Sequence, residues 1–462
     1  MLGRCRESFR TRLSTSKTDS GWAAYGILLA ALLSEGVLIG VCLSFGVFQD
    51  YYSNRAFLPH SDVSSWIGVL ATGIAYLGAP AVTYCCQNLT IPCHYYIYFG
   101  WILCLVGLLG SAFCHDVRTL IATQGLLFGL GLLVVEMPTL IILNTWFVER
   151  RGLAFGLLCG FTDLFGVAWG FLASALLNHH GIKAAFLVFA AICFFIPGVG
   201  IFFLRERPCA PAAADSCSET ASVKELTSSA DVEPGPEILT VTNALPFRRY
   251  YSHAGFYIFL LSNLVHSFAL YLPFIYLPSY ATALGYSAST GAVVLALANV
   301  AQVFGEIGFG RLSDKVNVHS LVFCSAAAAS LAAFLIWGFA SSLAYLIIFA
   351  LLFGGSASGF LTLWPRIGTM FAEHDASMIY SFLSLGRGLG VISSGPISSA
   401  LLQVHGDVGR HHDEGDWARH RYQGIVLFVG SCMAASAVLG VIGWISSYWK
   451  RKHVSQSHSA VV

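Results

Sequence analysis

Apolar residues in this chain gather into long runs, not into the alternating or one-face patterns of soluble strands and helices. There are twelve such runs, separated by short polar stretches. About 20 apolar residues span the hydrocarbon core of a bilayer as a helix. A helix also satisfies its backbone hydrogen bonds internally, as lipid requires. The runs predict helices over 23–48, 62–84, 94–113, 119–144, 152–177, 184–204, 253–278, 289–310, 318–339, 343–365, 377–402 and 423–447. The expected fold is an all-α membrane protein with twelve transmembrane helices in two pseudo-symmetric six-helix halves. The expected division is a tail over 1–22, one half over 23–204, a linker over 205–252, a second half over 253–447 and a tail over 448–462. The linker is rich in Ala, Ser, Glu and Pro and lacks the apolar content to fold alone.

Composition sharpens this picture. The chain has 462 residues, of which 56% are hydrophobic and only 11% charged, against about 25% charged in soluble domains. Its net charge of +1 gives no sign of a nucleic-acid partner. Lys and Arg decide orientation. With both termini cytoplasmic, 18 of the 25 basic residues fall inside, 6 fall outside and Arg387 alone lies within a helix. The basic, Ser/Thr-rich first 20 residues precede a run too long for a cleaved signal, and acids interrupt a transit-peptide pattern.

Metal chemistry has little support. The 13 cysteines are scattered, mostly inside apolar runs, where they pack as small apolar groups. Cys85, Cys86 and Cys93 lie close together but lack a second pair at zinc spacing. The segment from His405 to Tyr422 holds four histidines and reads as a solvated loop. No metal and no cofactor are expected. Trp22, Trp101, Trp146, Trp364, Trp444 and Trp449 lie mostly near helix ends and read as interfacial anchors.

The halves echo each other. Leu126-Leu127-Phe128-Gly129 matches Leu351-Leu352-Phe353-Gly354, and Phe147-Val148-Glu149 matches Phe371-Ala372-Glu373. Paired six-helix halves are a basis for alternating access around a site near the bilayer midplane. Four stretches then carry a family likeness. They are Asp19-Ser20-Gly21-Trp22-Ala23-Ala24-Tyr25 before helix one and Ser44-Phe45-Gly46-Val47-Phe48-Gln49-Asp50-Tyr51-Tyr52 at its end. Trp146 to Gly156 (WFVERRGLAFG) enters helix five, and Gly310-Arg311-Leu312-Ser313-Asp314-Lys315 joins helices eight and nine. The chain resembles the major facilitator superfamily, and within it the fungal branch of the monocarboxylate porter family.

The resemblance implies a carrier of small organic solutes, with carboxylate-bearing solutes one reading and efflux of a larger fungal metabolite another. It implies that the Gly-Arg-x-x-Asp loop latches the halves, which makes Arg150, Arg151, Arg311 and Asp314 gating candidates. The loop after helix two, where a sister motif is expected, reads Cys85-Cys86-Gln87-Asn88 and carries no charge. Animal members of the family use a Lys late in helix one and an Asp/Arg pair in helix eight. The Lys position appears here as Leu43 and the Arg position as Glu306, so the lactate-type mechanism does not transfer.

Ionisable residues inside a bilayer are costly, about 2.5–3.5 kcal/mol on insertion scales, and usually face a cavity or a partner. Here they are Glu35, Glu136, Asp163, Glu306 and Arg387, with His266 and Asn299 as polar neighbours. Helices one, four, seven and ten line the cavity in the superfamily. Glu35 or Glu136 is therefore a candidate proton-coupling group, since an apolar cavity disfavours a charged carboxylate. Arg387 is a candidate for a substrate carboxylate or for structural pairing. Asp163 and Arg387 each follow a repeated glutamate by 14 residues, so they occupy equivalent positions. Glu306 lies one turn before Arg311, where a local or latch ion pair is expected and substrate contact is the alternative, and Glu306 and Asp163 are further gating or inter-half candidates. Glycines at 388, 390 and 395 with Pro396 make helix eleven either a flexing or a close-packing element.

The expected partners are a small-molecule substrate, a proton and the lipid bilayer, with a monomeric chain in the plasma membrane or an internal membrane. A non-transporting sensor on a carrier scaffold is a further alternative. No nucleophile-base constellation suggests an enzyme, and no phosphate-binding Gly-Lys-Ser/Thr loop suggests an ATP-driven pump.

Overall fold

The computed structural model describes residues 19–52, 61–114, 116–207, 253–372, 375–404 and 414–459. Among these, every regular element is a helix. Eleven helices are long and apolar enough to cross a membrane. They are α1 Trp22–Gln49, α2 Ile67–Asn88, α3 Cys93–Ala112, α4 Val117–Trp146, α5 Arg151–His179 and α6 Gly181–Phe203. In the second half they are α7 Ala254–Ala283, α8 Ser289–Ser313, α9 Val318–Trp337, α10 Leu343–Phe371 and α12 His420–Ser446. The remaining helix, α11 Ala376–Val404, is 29 residues long, and its serines, glycines and Arg387 make it more polar than its neighbours. Among the described residues these make twelve spans, six before residues 208–252 and six after them. Residues 208–252, the last outer loop up to Asp413 and the first 18 residues lie outside the described residues, and with them most of the histidine-rich loop and most of the linker.

Proline punctuates three spans. The helix of α2 breaks at Gly78 ahead of Pro80, that of α7 at Tyr271 ahead of Pro273, and that of α10 at Leu363 ahead of Pro365. Proline lacks an N–H and so suits the first turn of a helix, and each of these prolines sits in the first turn of the segment after its break. Ser287 caps α8 by accepting from the Thr290 N–H at 3.2 Å, and Asn317 caps α9 by accepting from the His319 N–H at 3.0 Å. Both are ordinary side-chain caps for a helix start.

The ends of α1, α6, α7 and α12 that lead toward the termini and the central linker lie at one end of the bundle, here called the linker end. One hydrophobic core fills the first half and continues across to Phe360, Trp364, Ile367, Tyr380 and Leu383 of the second half. A separate core around Tyr280, Trp337, Phe349 and Tyr422 belongs to the second half alone, toward the opposite end.

The halves meet along α5 and α8 because glycine permits it. A Cβ on Gly310 would stand 2.5 Å from the Gly152 carbonyl oxygen, and one on Gly156 would stand 2.5 Å from that of Glu306. A second meeting pairs α2 with α11, where a Cβ on Gly388 would stand 3.0 Å from the Tyr76 Cβ. Gly390 likewise packs against Ser267 of α7. Helix eleven runs unbroken through Pro396, so two of its glycines serve close approach.

Two expected interfacial tryptophans are buried instead. Trp146 and Trp364 are 0% and 1% exposed, because each indole packs into the core that continues from the first half to the second. The Trp146 indole donates to the Arg205 carbonyl at 3.0 Å. Glu206 Oε1 accepts from the Cys93 N–H at 2.7 Å. Residues 205 and 206, expected to open the linker, therefore still pack on the first half.

Overpacking a tight contact costs about 1–3 kcal/mol. Gly156→Leu is expected to push α5 and α8 apart at the linker end while each half stays folded. A distance measurement between labels at Glu149 and Lys315 checks this, and should show a longer population than in the parent protein.

Candidate functional site

The centre of the molecule is organised around Arg387. The break in α7 places Tyr271 so that its hydroxyl accepts from Arg387 Nε at 3.0 Å and also from Nη2. Ring centroids of Tyr271, Tyr76 and Trp364 lie 5.2, 5.5 and 5.9 Å from the guanidinium carbon. Aromatic faces within about 6 Å attract a guanidinium through their quadrupoles. They do not neutralise it. No described acid lies within 4.0 Å of Arg387, whereas Arg366 pairs with Asp314 at the linker end.

Several buried polar atoms near Arg387 have no hydrogen-bond partner. They include Trp364 Nε1, His266 Nε2 and Ser384 Oγ. Ser384 sits one helical turn before Arg387, and the His266 ring stacks on Phe360 at 4.9 Å. Buried polar atoms are normally satisfied, so a cluster of orphans calls for an explanation such as a ligand.

The acids sit mainly on the first half. Glu35 and Glu136 are 3% and 7% exposed and interact electrostatically with each other across α1 and α4. Glu35 Oε1 has no hydrogen-bond partner. Arg387 interacts electrostatically with Glu136, Asp163 and Glu306. Asp163 on α5 faces Glu306 on α8, and Gln302, one turn before Glu306, donates to both. Its amide meets Asp163 Oδ2 in a short hydrogen bond and Glu306 Oε1 at 3.4 Å.

A second constellation lies at the linker end. The first four N–H groups of a helix have no partner within it. Asp314, following α8, reaches across the halves and accepts from the Gly152 and Leu153 N–H groups at 2.8 and 2.9 Å. Asp19, preceding α1, accepts from the Val148, Glu149 and Arg150 N–H groups at 2.9–3.0 Å. Arg366 steadies Asp314 through a 3.7 Å ion pair and donates to the Ser313 carbonyl at 3.2 Å.

The structure brings Glu35, Glu136, His266, Asp163, Glu306 and Arg387 to one level of the bundle. Asn299 is half-buried on α8 and joins none of their hydrogen bonds. Arg311 is exposed and does not meet Glu306, which faces Asp163 instead, since positions five apart on a helix diverge. Arg150 donates to the Tyr25 hydroxyl at 3.3 Å, and Arg151 donates to the carbonyls of Phe147 and Asn144 at the end of α4. Sequence reasoning missed Tyr271, Tyr76, Gln302, Asp19 and Arg366. Tyr271 carried a signal, being two residues before a mid-span proline. Gln302 carried another, one turn from Glu306. Asp19 carried only its place in the family-like stretch before helix one, and Arg366 carried none, since both act across the fold.

Two broken-helix halves with charge buried between them define a multi-pass membrane carrier. The family model of the Major Facilitator Superfamily matches residues 28–391 and 259–458. The chain belongs to that superfamily. It is 24% identical to an MFS-type transporter, pynF, of Aspergillus niger, over 92% of this chain and 89% of that one. It is 24% identical to the agnestins efflux protein AgnL12 of Paecilomyces divaricatus, over 93% of each. It is 26% identical to monocarboxylate transporter 13 of Bos taurus, over 64% of this chain and 63% of that one. In fold it is similar to the transporter FucP solved in its outward conformation, with a TM-score of 0.58 over 90% of this chain and 98% of that one, at 13% identity.

The two aspartates predict different behaviour. A hydrogen bond to a charged group contributes about 1.5–3 kcal/mol. Asp314→Ala removes contacts that exist only while the halves meet at the linker end, so it should favour the open arrangement by tenfold or more. Asp19→Ala removes contacts within one half, so it should lower thermal stability without moving that equilibrium. Label distances and melting curves of both variants check this.

Proposed function

We propose that this protein is a proton-coupled carrier that moves an organic solute with an acidic group by alternating access. The observation that carries the reading is Arg387: buried, held by ring faces and a tyrosine hydroxyl, and without a carboxylate within 4.0 Å among the described residues. Nearby Trp364 Nε1, His266 Nε2 and Ser384 Oγ are unpartnered. A guanidinium with such neighbours suits an incoming carboxylate or acidic hydroxyl. The first-half acids Glu35 and Glu136 are the proposed proton-loading groups on the facing wall.

The distribution of Lys and Arg supports placing both termini and the 205–252 segment in the cytoplasm. The tight meeting at the linker end then makes the described arrangement cytoplasm-closed. Export is the favoured direction, since one relative is named an efflux protein. The first candidate membrane is the plasma membrane.

Untargeted mass spectrometry of cells and medium, comparing a deletion strain with its parent, tests the reading. An acidic compound retained in the deleted cells and missing from the medium is expected, and an importer would give the reverse pattern. Once that compound is known, Arg387→Lys should reduce its transport by tenfold or more, because the fork and the ring contacts are lost. Glu35→Gln and Glu136→Gln should each flatten the dependence of transport on an imposed pH gradient. Unchanged rates and unchanged pH dependence in both would overturn the proton-loading role.

A further inference from the structure

The Asp163–Glu306 contact is unusual because its partners belong to opposite halves. Asp163 is on α5 and Glu306 on α8, along the glycine-lined crossing that starts where Gly152 meets Gly310 and continues inward to Gly160 against Val303. One amide reaches both carboxyl groups: Gln302 Nε2 makes a short hydrogen bond to Asp163 Oδ2 and lies 3.4 Å from Glu306 Oε1. Glu306 is 1% exposed, and its Oε2 meets no other donor.

Two carboxylates this close repel when both are ionised, and one proton between them turns repulsion into an acid–carboxylate hydrogen bond. Only one neighbour donates to both, the Gln302 amide. The charged and titratable groups around the pair are few. From α11 comes Arg387, in electrostatic range but forming no ion pair. From α5 itself comes the Cys159 thiol, and Glu35 of α1 reaches that thiol electrostatically. At this level α10 packs on α8 through Gly355 and brings no titratable side chain.

We propose that Asp163 and Glu306 hold one shared proton across the α5–α8 interface, and that parting of the halves at the linker end releases it to that side. The contact cannot survive that parting, because one acid leaves with each half. Once apart, each carboxyl gains water and neither needs the proton. The proton passes to water, leaving two separate carboxylates, and must return before the linker end closes. Closure at the linker end is thereby tied to proton occupancy, separately from the groups on the cavity wall. This rests on the coupled-carrier reading above and adds a conformational proton to it.

The sign follows from counting protons. The closed arrangement binds one more proton than the open one, so raising pH favours opening, by about tenfold per pH unit through the titration range. The test needs no substrate. Purified full-length protein in lipid vesicles carries labels at Glu149 and Lys315, and their distance distribution is measured from pH 5 to pH 9. The parent protein should shift toward the longer distance as pH rises. Asp163→Asn and Glu306→Gln each replace an acid by an amide that donates without a proton, so both should hold the closed distance at every pH. Asp163→Glu keeps two acids and should restore the shift.

A parent protein with no shift, or a shift unchanged in both amide variants, overturns the proposal. The carrier reading fails separately. If the pH shift behaves as expected while a pH gradient drives no solute in the parent protein, the shared proton stands and the coupled-transport reading falls.

Discussion

The join between the halves rests on the start of α5, whose backbone N–H groups need acceptors that the helix cannot provide. A helix N-terminus carries partial positive charge and exposes N–H groups. Its own N-cap residue, Arg150, supplies no side-chain cap. Two aspartates from elsewhere divide the work. Asp19 satisfies the residues before the helix, and Asp314 satisfies Gly152 and Leu153 within it. One belongs to the same half and one to the other. A local requirement of helix geometry therefore becomes a bond between halves, and only the second of these bonds breaks when they part.

That bond positions the rest. With α5 held against Asp314, glycines bring α5 and α8 into backbone contact, and the same crossing carries Asp163 to Glu306 deeper in the membrane. Burial raises the stakes for every charge at that level. Six ionisable groups share it, four of them acids, yet none of the acids forms an ion pair within 4.0 Å with Arg387. Ring faces and a tyrosine hydroxyl hold the cation instead. A salt bridge would have fixed the cation and consumed its charge. An aromatic seat fixes it and leaves the charge available.

Much of the fold was legible because lipid imposes a one-dimensional rule. Runs of apolar residues give the spans and basic residues orient them, and neither requires knowledge of contacts. The helix α11 was legible too, although its polarity sets it apart from the other spans. The level of the buried acids was also readable, since position along a span gives depth. Azimuth was not. Glu306 was expected beside Arg311 from proximity in sequence, yet the helix turns one inward and leaves the other exposed. Trp146 and Trp364 were expected at the lipid interface, yet both indoles face the core, and Trp364 lies deep enough to stand 5.9 Å from the Arg387 guanidinium carbon. Contacts such as Arg366 with Asp314 are decided only when helices far apart in sequence are packed.

The two halves repeat in sequence but differ in how their helix starts are satisfied. In the second half, the loop after α8 carries Asp314 outward to the first half. In the first half, the corresponding loop after α2 carries no charge, and the N-terminus of α3 beside it is met by Glu206 from the same half. That acceptor turns inward where its counterpart reaches across. The described linker-end carboxylate contacts between halves therefore come from one loop alone. A join with fewer terminal contacts leaves more of the balance to the middle of the membrane. There the groups that face each other across the halves are the acids, whose interaction changes sign with a single proton.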